Sequence, residues 1–212
     1  QQERLHVVSV EDPIEFIFSS GKGLVIQREV GTDTAGYSDA LRAALRQDPD
    51  VIMVGELRDR ESADICLKAA ETGHLVITSL HTPDVTRAVG RVVGLFPSDE
   101  QETVRGRLAD NLQAVLALRL LLRADAAGLI PAVEALLATS TVREMIRDGA
   151  RIKELRQYMD TAGADLGMHS FDQYLYKLHE AKRISLDTAL GNATNRADLE
   201  RRILIETGGR SA

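Results

Sequence analysis

The sequence predicts an α/β protein in which a mostly parallel sheet is followed by a small helical C-terminal subdomain. Three observations carry this prediction. Short β-branched or apolar runs alternate in the first half with amphipathic segments of about ten to fifteen residues, the pattern of strand–helix–strand units. The run Val51-Ile52-Met53-Val54 is apolar at every position, as suits a strand buried on both faces. After Ala138 the pattern changes to short helices, with Phe171, Tyr174, Leu175 and Leu178 forming one apolar stripe. The boundary is therefore placed between residues 1–137 and 138–212.

The elements follow in chain order. Leu5 to Val10 is a β-branched run that stops at Glu11-Asp12-Pro13, and Leu24-Val25-Ile26 is a second short run. The intervening Gly21-Lys22-Gly23 suits a turn between two strands. Ser38 to Gln47 reads as a helix with Leu41, Ala44 and Leu45 on one face and Ser38 as its N-cap, ended by Asp48-Pro49-Asp50. Glu61 to Thr72 is the next helix, closed by Gly73. His74 to Leu80 is a strand from which Pro83 breaks away. Ser98-x-x-Gln101 has the form of a capping box opening a helix through Leu112 and beyond. Leu118 to Leu122 and Ile130 to Leu137 flank Ala124 to Gly128 as a hairpin.

Composition narrows the function classes. A chain of 212 residues can bury a core without disulfides or a structural metal. The net charge of −6, with both signs mixed along the chain, argues against nucleic acid as a partner. The single cysteine, Cys66, excludes an internal disulfide and a cysteine-rich zinc module and suits a reducing cytosol. It falls in a helical pattern near Ile65 and Ala69, where a buried, inert thiol is expected. The most apolar run, Ala114 to Leu122, is short and interrupted by Arg119, and no signal peptide is visible. The sequence opens at Gln1 without a methionine and runs almost directly into Leu5 to Val10, which reads as a cut end.

In open parallel sheets, sites form at the carboxyl ends of the strands. Each apolar run here ends in polar residues: Glu11-Asp12, Gly55-Glu56 and His81-Thr82. A buried strand ending in Glu56 has the physical form of a Walker B element, in which a rigid strand presents a carboxylate that orients water near Mg²⁺ or acts as a base. The common pattern has Asp before the Glu, and Gly55 stands in that place. Glu11, Asp12 and Glu15 crowd three carboxylates into a short strand end, where a metal, a cationic partner or full solvation must offset their repulsion. His74 and His81 cannot share one ion, because seven residues of strand span about 23 Å at ~3.3 Å each. By spacing alone each is a hydrogen-bonded structural histidine, although only His81 lies at the carboxyl end. No G-x-S-x-G elbow and no G-x-G-x-x-G fingerprint occurs, and Gly21-Lys22 is followed by Gly23, so it is not a P-loop.

Together these segments resemble the secretion ATPase superfamily of type II secretion and type IV pili. SVEDPIEF (Ser9 to Phe16) is similar to its aspartate box, DPDVIMVGELRD (Asp48 to Asp59) to its Walker B with the same Gly, and ETGHLVITSLHT (Glu71 to Thr82) to its histidine box. IQREV (Ile26 to Val30), TVREMIRD (Thr141 to Asp148) and LGMHSFDQYL (Leu166 to Leu175) resemble the PilT-like retraction branch, although Thr141, Glu144, Met145 and Asp148 depart from its AIRNLIRE motif. The tail ALGNATNRADLERRI is closer to PilU-like members or to divergent PilT-like ones.

The resemblance implies a RecA-like P-loop NTPase core, here without its first strand and P-loop. It implies ATP and Mg²⁺ as substrate and cofactor, and a homo-hexameric ring with sites between subunits. The implied location is cytoplasmic, peripheral at the inner-membrane base of a pilus. The implied partners are a pilus platform protein and a second retraction ATPase. Carried over by motif position, Glu15, Glu56 and His81 are the catalytic candidates. Asp12, Arg58, Asp59 and His74 support the nucleotide and Mg²⁺ side. Arg143, Ile146 and Arg147 form a surface for retraction, and no residue is assigned as a direct metal ligand. The family's G-x-x-x-x-G-K-[ST] loop and PAS-like domain would lie before Gln1, so the chain alone is expected to be inactive. The alternatives are a pilus assembly or type II secretion ATPase, or a non-catalytic docking and oligomerisation module.

Overall fold

A computed structural model describes residues 4–208; Gln1, where the cut end was expected, lies outside them. The described residues form two compact units, one running to residue 81 and resuming over 88–112, the other of residues 82–87 and those from 113 onward. The division falls after Leu112, earlier than the boundary expected near residue 138. The reason is that the hairpin joins the helical part: Ala135 and His169 exchange backbone hydrogen bonds at 2.9 and 3.1 Å.

The first unit holds a four-stranded, wholly parallel sheet in the order β2-β1-β3-β4. Its strands are β1 (His6–Glu11), β2 (Leu24–Glu29), β3 (Val51–Val54) and β4 (Leu75–Thr78). Val8, Val10, Ile52 and Val54 are almost completely buried at its centre. Helix α1 (Tyr37–Ala44) turns Ala40, Leu41 and Ala44 inward, the stripe expected from their spacing. Its N-cap is Gly36 and not Ser38, whose hydroxyl instead meets that of Ser62 at 3.4 Å. Helix α2 (Arg60–Glu71) is capped by Asp59, which accepts from Ser62 N at 2.8 Å, and ends at Gly73, whose φ of +97° favours glycine. Between β4 and the hairpin come α3 (Val85–Val93), which the sequence reading did not assign, and α4 (Gln101–Asn111). Ser98 does not cap α4. Glu100 stands at its N-cap without a side-chain bond, and Gln101 donates to Phe96 O at 3.1 Å. Arg107 of α4 pairs with Asp64 at 2.9 Å and Glu71 at 2.5 Å, fixing α4 on α2.

Cys66 is buried on α2, and burial pushes its thiol up to about 12. At pH 8 a thiol-reactive probe is therefore expected to label it only after unfolding. Rapid stoichiometric labelling of the folded protein would contradict that burial.

The second unit is built on the antiparallel hairpin of β5 (Ala114–Leu122) and β6 (Leu129–Leu137). Around it come α5 (Ser140–Arg147), α6 (Leu155–Ala162), α7 (Phe171–Glu180), α8 (Leu186–Asn192) and α9 (Arg196–Gly208). Phe171 and Leu175, from the predicted stripe, are fully buried with Leu136, Ile146, Leu155 and Met159. A true capping box opens α7: Ser170 Oγ accepts from Gln173 N, and Gln173 Oε1 accepts from Ser170 N at 3.1 Å. The opposite face of β5 leaves Leu116, Leu118, Leu120 and Leu122 exposed. Among the described residues no helix is long and apolar enough to cross a membrane.

Candidate active site

The parallel sheet brings the ends of β1 and β3 together, because Val10 pairs with Val54 in register. Glu11 and Asp12 leave β1 beside Gly55 and Glu56 leaving β3. Backbone bonds fix the junction, with Gly55 N donating to Val10 O at 2.8 Å and Leu57 N to Ser79 O at 3.1 Å. The Ser79 hydroxyl also donates to Gly55 O, so the segment after β4 is tied to the end of β3.

At this end Glu56 is mostly enclosed, its side chain 18% exposed. One of its carboxylate oxygens accepts from Arg58 Nε, and His81 Nε2 stands 3.4 Å from the other. The same guanidinium reaches Asp12 Oδ2 through Nη1 at 3.3 Å. Arg58 thus bridges Asp12 and Glu56, two carboxylates that would otherwise repel. The Glu56 carboxylate raises the basicity of Arg58 in return. A mostly enclosed carboxylate at a strand end, with a histidine beside one oxygen, can orient a water or take its proton.

The three carboxylates of the β1 end separate by burial. Glu11 is buried and structural, accepting from Ser9 Oγ at 2.7 Å and Gln27 Nε2 at 3.0 Å. Asp12 joins Arg58. Glu15 is exposed beyond the cis Asp12–Pro13 peptide, and among the described residues no hydrogen bond or ion pair ties it to Glu56.

Residues 1–129 match the family model described as "Type II/IV secretion system protein". The chain belongs to this family. Among its relatives, the type IV pilus retraction ATPase PilT of Pseudomonas aeruginosa is 42% identical over 87% of this chain and 53% of that protein. The type IV pilus ATPase PilU of the same organism is 40% identical over 97% of this chain and 53% of that protein. A crystal structure of the pilus retraction motor PilT with bound ADP superposes with a TM-score of 0.83 at 41% identity, over 95% of this chain and 56% of that one. The chain spans about half the length of the curated relatives it matches.

The remaining candidates of this secretion-family chain fall elsewhere. His74 lies at the start of β4, away from Glu56, with its Nδ1 at 3.0 Å from Ala69 O and 3.1 Å from Thr72 Oγ1. Asp59 commits its carboxylate to Ser62, as the cap of α2. Arg143 and Arg147 lie on α5, but Ile146 between them is fully buried, so it supports the helix from within and forms no surface. Tyr37, at the start of α1, was not singled out by sequence. It is half-buried beside Gly55, under the influence of Asp12, Arg58, Glu56 and Glu11.

Proposed function

We propose that the full-length protein is a mechanochemical ATPase that powers type IV pilus retraction. The observation that carries this is Glu56, mostly enclosed at the end of a buried parallel strand and held by Arg58 and His81. Its family and its similarity to PilT and PilU support ATP as the fuel and retraction as the output.

In this reading Glu56 activates the attacking water, and His81, on its outer oxygen, senses the terminal phosphate. Arg58 keeps Asp12 and Glu56 paired until substrate enters. Glu15 serves as the second water-orienting carboxylate. Asp59 acts through the position of α2, and His74 relays the state of β4 to a neighbouring subunit. Among the described residues no group of three metal-ligating side chains converges. In this reading Mg²⁺ would arrive with ATP, and Asp12 would be the carboxylate on the metal side. When bound, Mg²⁺ would supply neutralisation of the charge that develops on the phosphates. The protein works as a homo-hexameric ring on the cytoplasmic side of the inner membrane, against the pilus platform protein, with Arg143 and Arg147 on the retraction surface and a second retraction ATPase as a further partner.

Deleting the gene tests the direction of force. Cells are expected to keep surface pili and lose twitching motility. Loss of surface pili would instead assign the protein to assembly.

A further inference from the structure

Glycine at position 55 has a packing reason. A Cβ there would stand 3.3 Å from both Glu11 Cα and Val10 O, and 3.5 Å from Tyr37 Oη. The aspartate of the common Walker B pattern would therefore press its Cβ on the β1 backbone, with the tyrosine hydroxyl in ordinary contact beside it. Tyr37 reaches this place because α1 begins with it, directly after Gly36. Among the described residues no hydrogen bond engages its hydroxyl, although Asp12, Arg58, Glu56 and Glu11 all act on it electrostatically. Burial, followed by the nearby Asp12 carboxylate, raises its pKa, so the phenol stays neutral and keeps its proton to donate.

We propose that Tyr37 is a positioning residue of the Glu56 site, its hydroxyl supplying from α1 the polar group that glycine at 55 withholds from the strand end. The inference rests on the assignment of Glu56 given above. Tyr37 donates a hydrogen bond to the water that Glu56 activates, and so fixes that water for proton transfer to Glu56. Arg58 bridges Asp12 and Glu56, and all three charged groups act electrostatically on the tyrosine.

The test is steady-state ATP hydrolysis by the full-length protein carrying Tyr37→Phe, with Tyr37→Ala and Glu56→Gln alongside. Tyr37→Phe keeps the ring and its packing, so its melting temperature is expected to match the wild type. Its kcat is expected to fall about tenfold with the KM for ATP within about twofold, the effect of one lost hydrogen bond near a charge. Tyr37→Ala is expected to lose the same kcat and to melt earlier. A Tyr37→Phe enzyme with wild-type kcat, or with a raised KM alone, overturns the proposal. The Glu56→Gln arm separates the two claims. If that variant is inactive while Tyr37→Phe is not, only the role of Tyr37 falls; if it still turns over ATP, the Glu56 assignment itself fails.

Discussion

Glu56→Gln in the full-length protein is expected to cut ATP turnover at least about a hundredfold, the usual contribution of a positioned general base, while ATP binding persists. Glutamine keeps the size of the side chain and one acceptor for Arg58, so the strand end and its neighbours stay in place. It cannot take a proton from water. The Arg58 bridge to Asp12, at 3.3 Å, survives because it does not depend on residue 56 being charged. Turnover by malachite-green phosphate release and binding by a fluorescent nucleotide separate the two effects. Wild-type turnover would remove Glu56 from the chemistry. Loss of binding together with turnover would make it a structural or nucleotide-holding residue.

The largest expected effect on stability comes from the second unit. Glu134 is 2% exposed in the middle of β6. Its Oε2 accepts from Val85 N at 2.9 Å and its Oε1 from Phe171 N at 3.4 Å. These are the first residues of α3 and α7, where unpaired N–H groups and the positive end of the helix dipole favour a carboxylate. Glu134→Leu keeps the volume and leaves two buried donors unpaired, a loss of about 2–6 kcal/mol at roughly 1–3 kcal/mol for each buried group. A guanidinium titration should show the midpoint fall accordingly, and a change below about 0.5 kcal/mol would contradict the role. The pH dependence has a definite sign. Burial raises the Glu134 pKa above that of an ordinary glutamate, so its ionised form is disfavoured by folding. The stability it contributes is complete below the unfolded pKa of about 4.3 and is lost as pH rises through the folded value. Glu134→Gln cannot ionise, so its stability relative to the wild type should improve between about pH 4 and pH 7.

The strands were legible because β-branched runs and turn residues are local signals, and the hairpin of β5 and β6 followed from its Gly128 turn. The caps were less legible. Ser98-x-x-Gln101 and Ser170-x-x-Gln173 have the same spacing, yet only the second forms a capping box, because packing and not spacing sets where a helix begins. The division after Leu112 gave no local signal for a similar reason: the hairpin reads as part of a sheet but packs with helices that follow it.

At the site, Glu56 and His81 could be placed at the carboxyl edge from strand polarity alone. Glu11, Asp12 and Glu15 look alike in sequence. The sheet separates them by burying Glu11 between Ser9 and Gln27 and leaving Glu15 exposed. Tyr37 gave no signal, since its meeting with Gly55 depends on how α1 crosses the sheet. Glu134 did give one, a lone acid in an apolar strand, but its partners lie 49 and 37 residues away along the chain.

The most direct measurement is a structure of the full-length protein with Mg²⁺ and a non-hydrolysable ATP analogue. The expected result is the terminal phosphate facing the ends of β1 and β3, with one water between it and Glu56 and with Arg58 released from at least one carboxylate. A nucleotide whose terminal phosphate lies far from Glu56, with the Asp12–Arg58–Glu56 bridge intact, would contradict the assignment of this strand end as the water-activating side of an ATPase site.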